Sequence, residues 1–246
     1  MAEQERGYPD LRLRPEIIRN APLLTFFLSC DRDRLSRRIP YPLSPHARAR
    51  LILNMWFLAN PEETTGFGAT GPMGVSYLAA EVAGPEGASS DGSVRFPGRL
   101  WLEHWSSSPA ARRYAQEASG LHIRLGDTEM SLDGDILKAT LHIGNHLSIS
   151  VKARIGSEKR ATLSGHSIYY AERDAPGGGR EIAHFEIPWI SDAYSADEPA
   201  VEFAFPADDD ALSFVANGPQ TVEAVVFRRF TMVPYLAQGS WPPPGG

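Results

Sequence analysis

The sequence predicts a single mainly β domain of the α+β kind, a barrel or curved sheet with a few short flanking helices. Three observations lead there. Apolar segments of strand length follow one another along most of the chain, and several alternate apolar with polar residues. Turn residues separate them at short intervals, the chain carrying 22 glycines and 20 prolines. Only two or three short stretches carry helix signals.

Residues 1–20 are polar and read as an arm, residues 21–238 as one domain, and residues 239–246 (GSWPPPGG) as a disordered tail. APLLTFFLS reads as a buried strand. CDRDRLSRRIP reads as a short helix capped by Asp31 and stopped before Pro40. RLILNMWFLA is a second apolar strand, NPEETTGFGATGPMG a glycine-rich loop, and VSYLAAEVA a strand with Tyr77 and Glu81 on one face. GPEGASSDGSVRFPG is a turn-rich excursion. In RLWLEHW, alternation puts Leu100, Leu102 and His104 on one face and Trp101, Glu103 and Trp105 on the other.

SSSPAARRYAQEASG carries signals at both ends of a helix. Ser107 or Ser108 caps it, Pro109 fits its first turn, and Gly120 fits just past its end. HIRLG, TEMSLDGDILKATLHI and HLSISVKARI follow as strands, with a hairpin turn at Gly144–Asn145. The last strands fall in ATLSGHSIYYAE, REIAHFEIPW, AVEFAFP and TVEAVVFRRFTMVPYL.

Composition excludes some functions. The net charge of −6 and pI of about 5.7 leave no concentrated basic face, so nucleic acid is not an expected partner. Cys30 is the only cysteine, which rules out an intramolecular disulfide and a cysteine-rich zinc site. The N-terminal residues hold no apolar core of signal-peptide length, and no apolar run approaches the roughly 18 residues that cross a membrane. A soluble, cytoplasmic protein is expected. Lysine occurs only at positions 138, 152 and 159, and arginine supplies the rest of the positive charge.

Several residues are candidates for chemistry. Arg124 suits a carboxylate or enolate, and His122, two residues away, suits proton movement near neutral pH. If the Trp101–Trp105 face looks into a barrel, Glu103 is desolvated between two indoles and becomes a general acid or base. Alternatively Leu100 and Leu102 face the core and the tryptophan side is an oligomer interface. His104 then serves whichever face Glu103 does not. Tyr77 can donate to an oxyanion, and Met73, Trp101 and Trp105 complete an aromatic-lined substrate pocket. His142 and His146 flank the hairpin turn without a third ligand, so no metal site is expected. Asp208–Asp210 reads as a solvated loop, and Gly177–Gly179 lacks the setting of a phosphate loop. No cofactor is expected.

The order of three segments resembles the acetoacetate decarboxylase-like superfamily. They are CDRDRLSRRIPYPLSP, GATGPMGVSYLAAEV and SPAARRYAQEASGLHIRLG, spanning most of residues 20 to 155. The resemblance implies a β-barrel-like fold with flanking helices, often assembled as homo-oligomers. It also implies a catalytic lysine in the third segment that forms a Schiff base with a keto substrate, its pKa lowered by an adjacent cation. Here the nucleophile's place holds Ile123 and the cation's place holds Arg124. Ser29 and the run Gly68-Ala69-Thr70 also depart from the family pattern. Arginine is neither deprotonated nor nucleophilic at neutral pH. The resemblance therefore implies an enzyme without a Schiff base, acting on a keto or enol(ate) small molecule by cyclisation, dehydration or isomerisation. Arg124, Glu103 and His122 would be its catalytic residues. The alternatives are a non-catalytic binding protein and a Schiff-base enzyme using Lys138 or Lys152.

Overall fold

The computed structural model describes residues 17–59, 72–144, 147–175, 177–204, 222–233 and 237–241. In chain order its elements begin with β1 (Ile18–Ser29), α1 (Arg32–Ser36), β2 (Ser44–Pro45), β3 (Arg50–Leu58), β4 (Met73–Ala83), β5 (Ser89–Ser90), β6 (Arg95–Phe96) and β7 (Gly98–Ser106). They continue with α2 (Pro109–Ser119), β8 (Arg124–Leu125), β9 (Asp127–Asp133), β10 (Ile136–Ile143), β11 (Leu147–Asp174), β12 (Arg180–Ala204), β13 (Val222–Met232) and β14 (Ala237–Trp241).

Apolar strands close in sequence pair antiparallel. β1 joins β3, β3 joins β4, and β4 joins β7. β7 then lies parallel to β11, β11 pairs with β12, β12 with β13, and β13 returns to β1. The ring is complete, so the curved sheet closes as a barrel and these strands have no free edge where they pair.

Alternation along each strand then sorts side chains to two faces. The inner face carries Trp56, Val75, Tyr77, Phe185 and Phe230, and the helix α2 plugs one end with Ala111 and Ala115. The outer face of β1 and β3, with Leu24, Phe26, Leu51 and Leu53, packs under a second layer holding Leu137, Leu141, Ile149 and Val151. That layer is β9, β10, the first part of β11 and the last part of β12.

Both helix caps fall where the sequence puts them. Asp31 accepts from the Arg34 backbone N–H at 2.9 Å, and Ser108 accepts from Ala111 at 3.2 Å. Gly120, at φ 67°, ends α2 in the left-handed conformation that glycine adopts without strain. The hairpin read at Gly144–Asn145 joins strands that do pair up to Ile143↔Leu147, with residues 145 and 146 outside the described residues. The loop 60–71 and the aspartates 208–210 also lie outside them. β14 takes in residues 239–241, which the sequence reading assigns to a tail.

Two readings need correction. The segments HLSISVKARI and ATLSGHSIYYAE form one strand of 28 residues, and REIAHFEIPW with AVEFAFP forms one of 25. Register shifts near Lys152, Ile155 and Lys159 let this long ribbon bend from the second layer into the barrel. The alternation read in RLWLEHW also fails. Leu78 faces Glu103 but its neighbour Ala79 faces Trp101, so Leu102 is an extra residue in a β-bulge. A one-residue slip exchanges the faces of a strand. Leu100, Leu102 and Trp105 consequently pack in the outer core, whereas Trp101 and His104 turn inward. Glu103 lies opposite Leu78, an outer-core residue, and so is not enclosed between two indoles inside the barrel.

Gly74 sits where β4 meets β9, and a Cβ there would lie 2.0 Å from the Thr128 carbonyl oxygen. Backbone cannot yield as a side chain does, so Gly74→Ala is expected to lower unfolding stability by about 3 kcal/mol, measured by denaturant titration.

Candidate functional site

Inside the closed barrel an uninterrupted apolar core would be expected, yet one end of the interior holds a cavity of about 180 Å3 with charged walls. Inward-facing strand positions supply them. β3 contributes Arg50 and Asn54, β4 contributes Tyr77 and Glu81, and β7 contributes Arg99. β11, β12 and β13 contribute Tyr169, Trp189 and Arg228, and the excursion between β4 and β7 brings Asp91 and Phe96 to the rim.

Each charge has a distinct setting. Arg50 donates to both oxygens of the buried Glu81 carboxylate, at 2.9 and 2.6 Å, and lies 3.7 Å from Glu223. Such a forked pair holds both side chains in one geometry. Arg99 donates to the Tyr169 hydroxyl at 2.8 Å, and the Tyr169 and Tyr77 hydroxyls are 2.9 Å apart. Arg228 stacks over the Trp189 ring at 5.6 Å, while Trp189 donates to Ser167 at 3.0 Å. Thr25 donates to the Asn54 carbonyl across the β1–β3 pair.

Arg228 has its pKa lowered, first by burial and then by repulsion from Arg99. Burial also works against the charge of Arg99, but Tyr169, Tyr77 and Glu81 more than offset it. Asp91 is held below the usual carboxylate range by the Val94 and Ser93 groups that donate to it, with a smaller contribution from Arg228. The lining thus sets three guanidiniums (Arg50, Arg99, Arg228) against two carboxylates (Glu81, Asp91), with Glu223 adding a third negative charge beside Arg50. The Nδ2 of Asn54, Nε1 of Trp56, and Nε of Arg99 and Arg228 are buried with no hydrogen-bond partner among the described residues. All four are N–H donors. Leaving such groups unpaired is costly, so the wall suits a ligand that brings hydrogen-bond acceptors.

The residues singled out from sequence divide between two places. Tyr77 lines the charged cavity, and Trp101 stacks behind it on Tyr169 at 4.7 Å and 20°. Met73 is buried in the inner core and Trp105 in the outer. Glu103 accepts from Arg124 at 3.0 Å, and His122 pairs with Asp174 at 2.8 Å on the exposed surface. Glu103, His104 and His122 line a second cavity of about 230 Å3, together with Trp101. His104 is buried against the Tyr77 ring, and desolvation pushes its pKa down to about 3. His142 is exposed on β10, and His146 lies outside the described residues.

Sequence reading did not single out Arg50, Asn54, Arg99, Tyr169 or Arg228. One signal was available, since polar residues share inner-face parity with apolar ones: Arg50 and Asn54 with Ile52 and Trp56, and Arg228 with Phe230 and Met232.

No protein-family model matches the chain, and no curated protein sequence matches it. Solved structures do. An acetoacetate decarboxylase from Legionella pneumophila is 13% identical, with a TM-score of 0.63 over 92% of this chain and 88% of that one. An acetoacetate decarboxylase-like enzyme from Sphingomonas wittichii is 14% identical, with a TM-score of 0.58 over 88% of each chain. The chain has the acetoacetate decarboxylase-like fold. The enduracididine biosynthesis enzyme MppR, solved with the condensation product of pyruvate and imidazole 4-carboxaldehyde, shares that fold at 12% identity and a TM-score of 0.54, over 92% of this chain and 87% of its own. Within the fold as it stands here, the charged cavity has no lysine in its lining. Lys138 and Lys152 are exposed on the second layer, and Lys159 pairs with Asp192 at 3.4 Å.

The buried imidazole has a measurable consequence. The unfolded chain binds a proton at His104 near pH 6.5, whereas the folded chain resists it down to about 3. Its contribution to stability is therefore complete above pH 6.5 and falls as pH drops through that window, by at most about 1.4 kcal/mol per pH unit. In thermal melts between pH 7 and about 4.5, His104→Phe is expected to flatten this acid loss.

Proposed function

We propose that the chain is an enzyme that takes a small keto or enol carboxylate into the barrel cavity and works on it without a Schiff base. The observation that carries this reading is the pair of guanidiniums Arg99 and Arg228, which lie within 4 Å of no carboxylate among the described residues, beside orphaned N–H donors and with no lysine in the lining. The carboxylate of the ligand would pair with Arg228 and accept from Asn54. The keto oxygen would meet the Tyr77–Tyr169 pair. Arg99 donates to the Tyr169 hydroxyl and so polarises this pair from behind. Negative charge developing on that oxygen as an enolate forms is thereby stabilised by donors held in place before the ligand arrives. Glu81, its two oxygens fixed by Arg50, is the buried carboxylate of the same wall and the group assigned to take a proton.

Enolate chemistry of this kind serves isomerisation, dehydration or cyclisation. Acetoacetate and the pyruvate adduct named for proteins of this fold are keto acids or derived from one, which supports the substrate class. Phe27, Phe96 and Trp189 offer an apolar wall to the rest of the molecule.

The test is hydrogen–deuterium exchange beside the keto group of pyruvate, acetoacetate and longer keto acids in heavy water, followed by proton NMR. Exchange above the buffer rate is expected, reduced about 100-fold in Tyr169→Phe and Arg99→Met. Arg228→Gln is expected to weaken binding about tenfold or more. Borohydride treatment with the same keto acids should leave the protein mass unchanged. A trapped adduct would establish a Schiff base at one of the three lysines and overturn the lysine-free reading. Saturable binding with no exchange would instead favour a binding protein.

A further inference from the structure

A proton taken up by Glu81 has to leave again. The Glu81 side chain is 3% exposed and lines the charged cavity, so a bound ligand closes the route to water through that cavity. Among the described residues two basic side chains reach the carboxylate. Arg50 does so at 2.6 Å, and Nδ1 of His46 lies 3.9 Å from Oε2. A guanidinium does not give up a proton at neutral pH, so Arg50 fixes the carboxylate without carrying anything away. An imidazole takes up and releases protons in that range, which leaves His46 as the neighbour able to carry one.

Local structure sets the ring in place. β2 pairs with β4 through Ser44↔Ala83 and Pro45↔Val82, and the next backbone N–H, that of His46, donates to the Glu81 carbonyl at 3.0 Å. A turn follows in which Ala49 donates back to the His46 carbonyl at 3.0 Å. The Arg48 backbone N–H donates to His46 Nδ1 at 3.4 Å. That contact assigns the lone pair of the neutral ring to Nδ1, the nitrogen nearer Glu81, and the hydrogen to Nε2. His46 is not part of the cavity lining, and its side chain is 32% exposed. One residue thus joins the buried carboxylate to solvent without touching the ligand.

We infer that His46 is a proton relay acting through Glu81, taking from it the proton lost by the ligand and delivering it to solvent. The inference rests on Glu81 being the base of the proposed enolisation. The step balances without a further reactant. A C–H bond beside the keto group breaks, its electron pair moves to the keto oxygen as the enolate, and its proton forms an O–H bond on Glu81. That proton crosses to Nδ1 of His46 by a small ring rotation or through one water, and the imidazolium gives up a proton to solvent. Run backwards, the chain brings a solvent proton to Glu81. Without the relay the proton stays on Glu81 and returns to the carbon it left. Enolisation then continues while exchange with solvent falls.

Deuterium wash-in from heavy water into pyruvate and acetoacetate, followed by proton NMR on the full chain at low buffer concentration, tests this. His46→Ala is expected to lower wash-in at saturating keto acid about tenfold or more, with KM unchanged. Added imidazole, a mobile substitute for the lost ring, should restore most of that rate and leave the wild type unaffected. His46→Gln keeps a polar side chain of similar size that carries no proton, and it should lose exchange and recover with imidazole in the same way. Equal exchange in the wild type and His46→Ala overturns the relay and leaves Glu81 as the base. Lost exchange that imidazole does not restore, or a KM that rises as the rate falls, shows a structural role for His46 and also overturns it. Absence of exchange in the wild type overturns the proposed enolisation, and the relay with it.

Discussion

The parallel contact between β7 and β11 is the constraint on which the molecule turns. Every other neighbour in the ring is antiparallel, and most of those pairings extend over many residues. This one is registered at Tyr169↔Arg99 and Tyr170↔Leu100 alone. Without it the sheet is an open curve whose inner face meets water. With it the interior is enclosed, and Arg99 is set beside Tyr169 at hydrogen-bonding distance. The contact that completes the fold thus also assembles the Arg99–Tyr169–Tyr77 chain. Gly98 supports the approach, since a Cβ there would lie 2.7 Å from the Tyr170 ring.

Enclosure changes the meaning of the charges. On an open surface Arg99 and Arg228 would be ordinary solvated arginines of little energetic consequence. Inside a small cavity each is desolvated and each opposes the other, which places Arg228 below its ordinary pKa. Burial opposes the charge of both, but it prevails only at Arg228, because Tyr169, Tyr77 and Glu81 offset it at Arg99. The Arg50–Glu81 pair contrasts with them, because each partner compensates the other and the side chains are fixed before any ligand arrives.

The same closure explains the second cavity. Parallel strands that meet briefly and part leave a wedge between them, and the Leu102 bulge widens the departure of β7. Through that bulge the strand presents Trp101 and His104 inward and Trp105 outward, connecting the wall of one cavity to the wall of the other. The acetoacetate decarboxylase-like fold is shared at only 12–14% identity, as expected where pattern specifies the frame and individual side chains specify the chemistry.

The mainly β class, the two capped helices, and the inner face shared by Tyr77 and Glu81 were determined by the sequence itself, because caps, turns and strand parity act over a few residues. The resemblance of three ordered segments likewise pointed to the right fold. What the tertiary structure alone decided was which residues share the interior. Arg50, Arg99, Tyr169 and Arg228 are far apart in the chain and meet only when the ring closes. Glu103 and Trp101 were separated by one bulged residue, which reverses every side chain after it and leaves no mark in an alternating sequence. Local pattern fixes the two faces of a strand, but closure and register determine which face becomes a pocket.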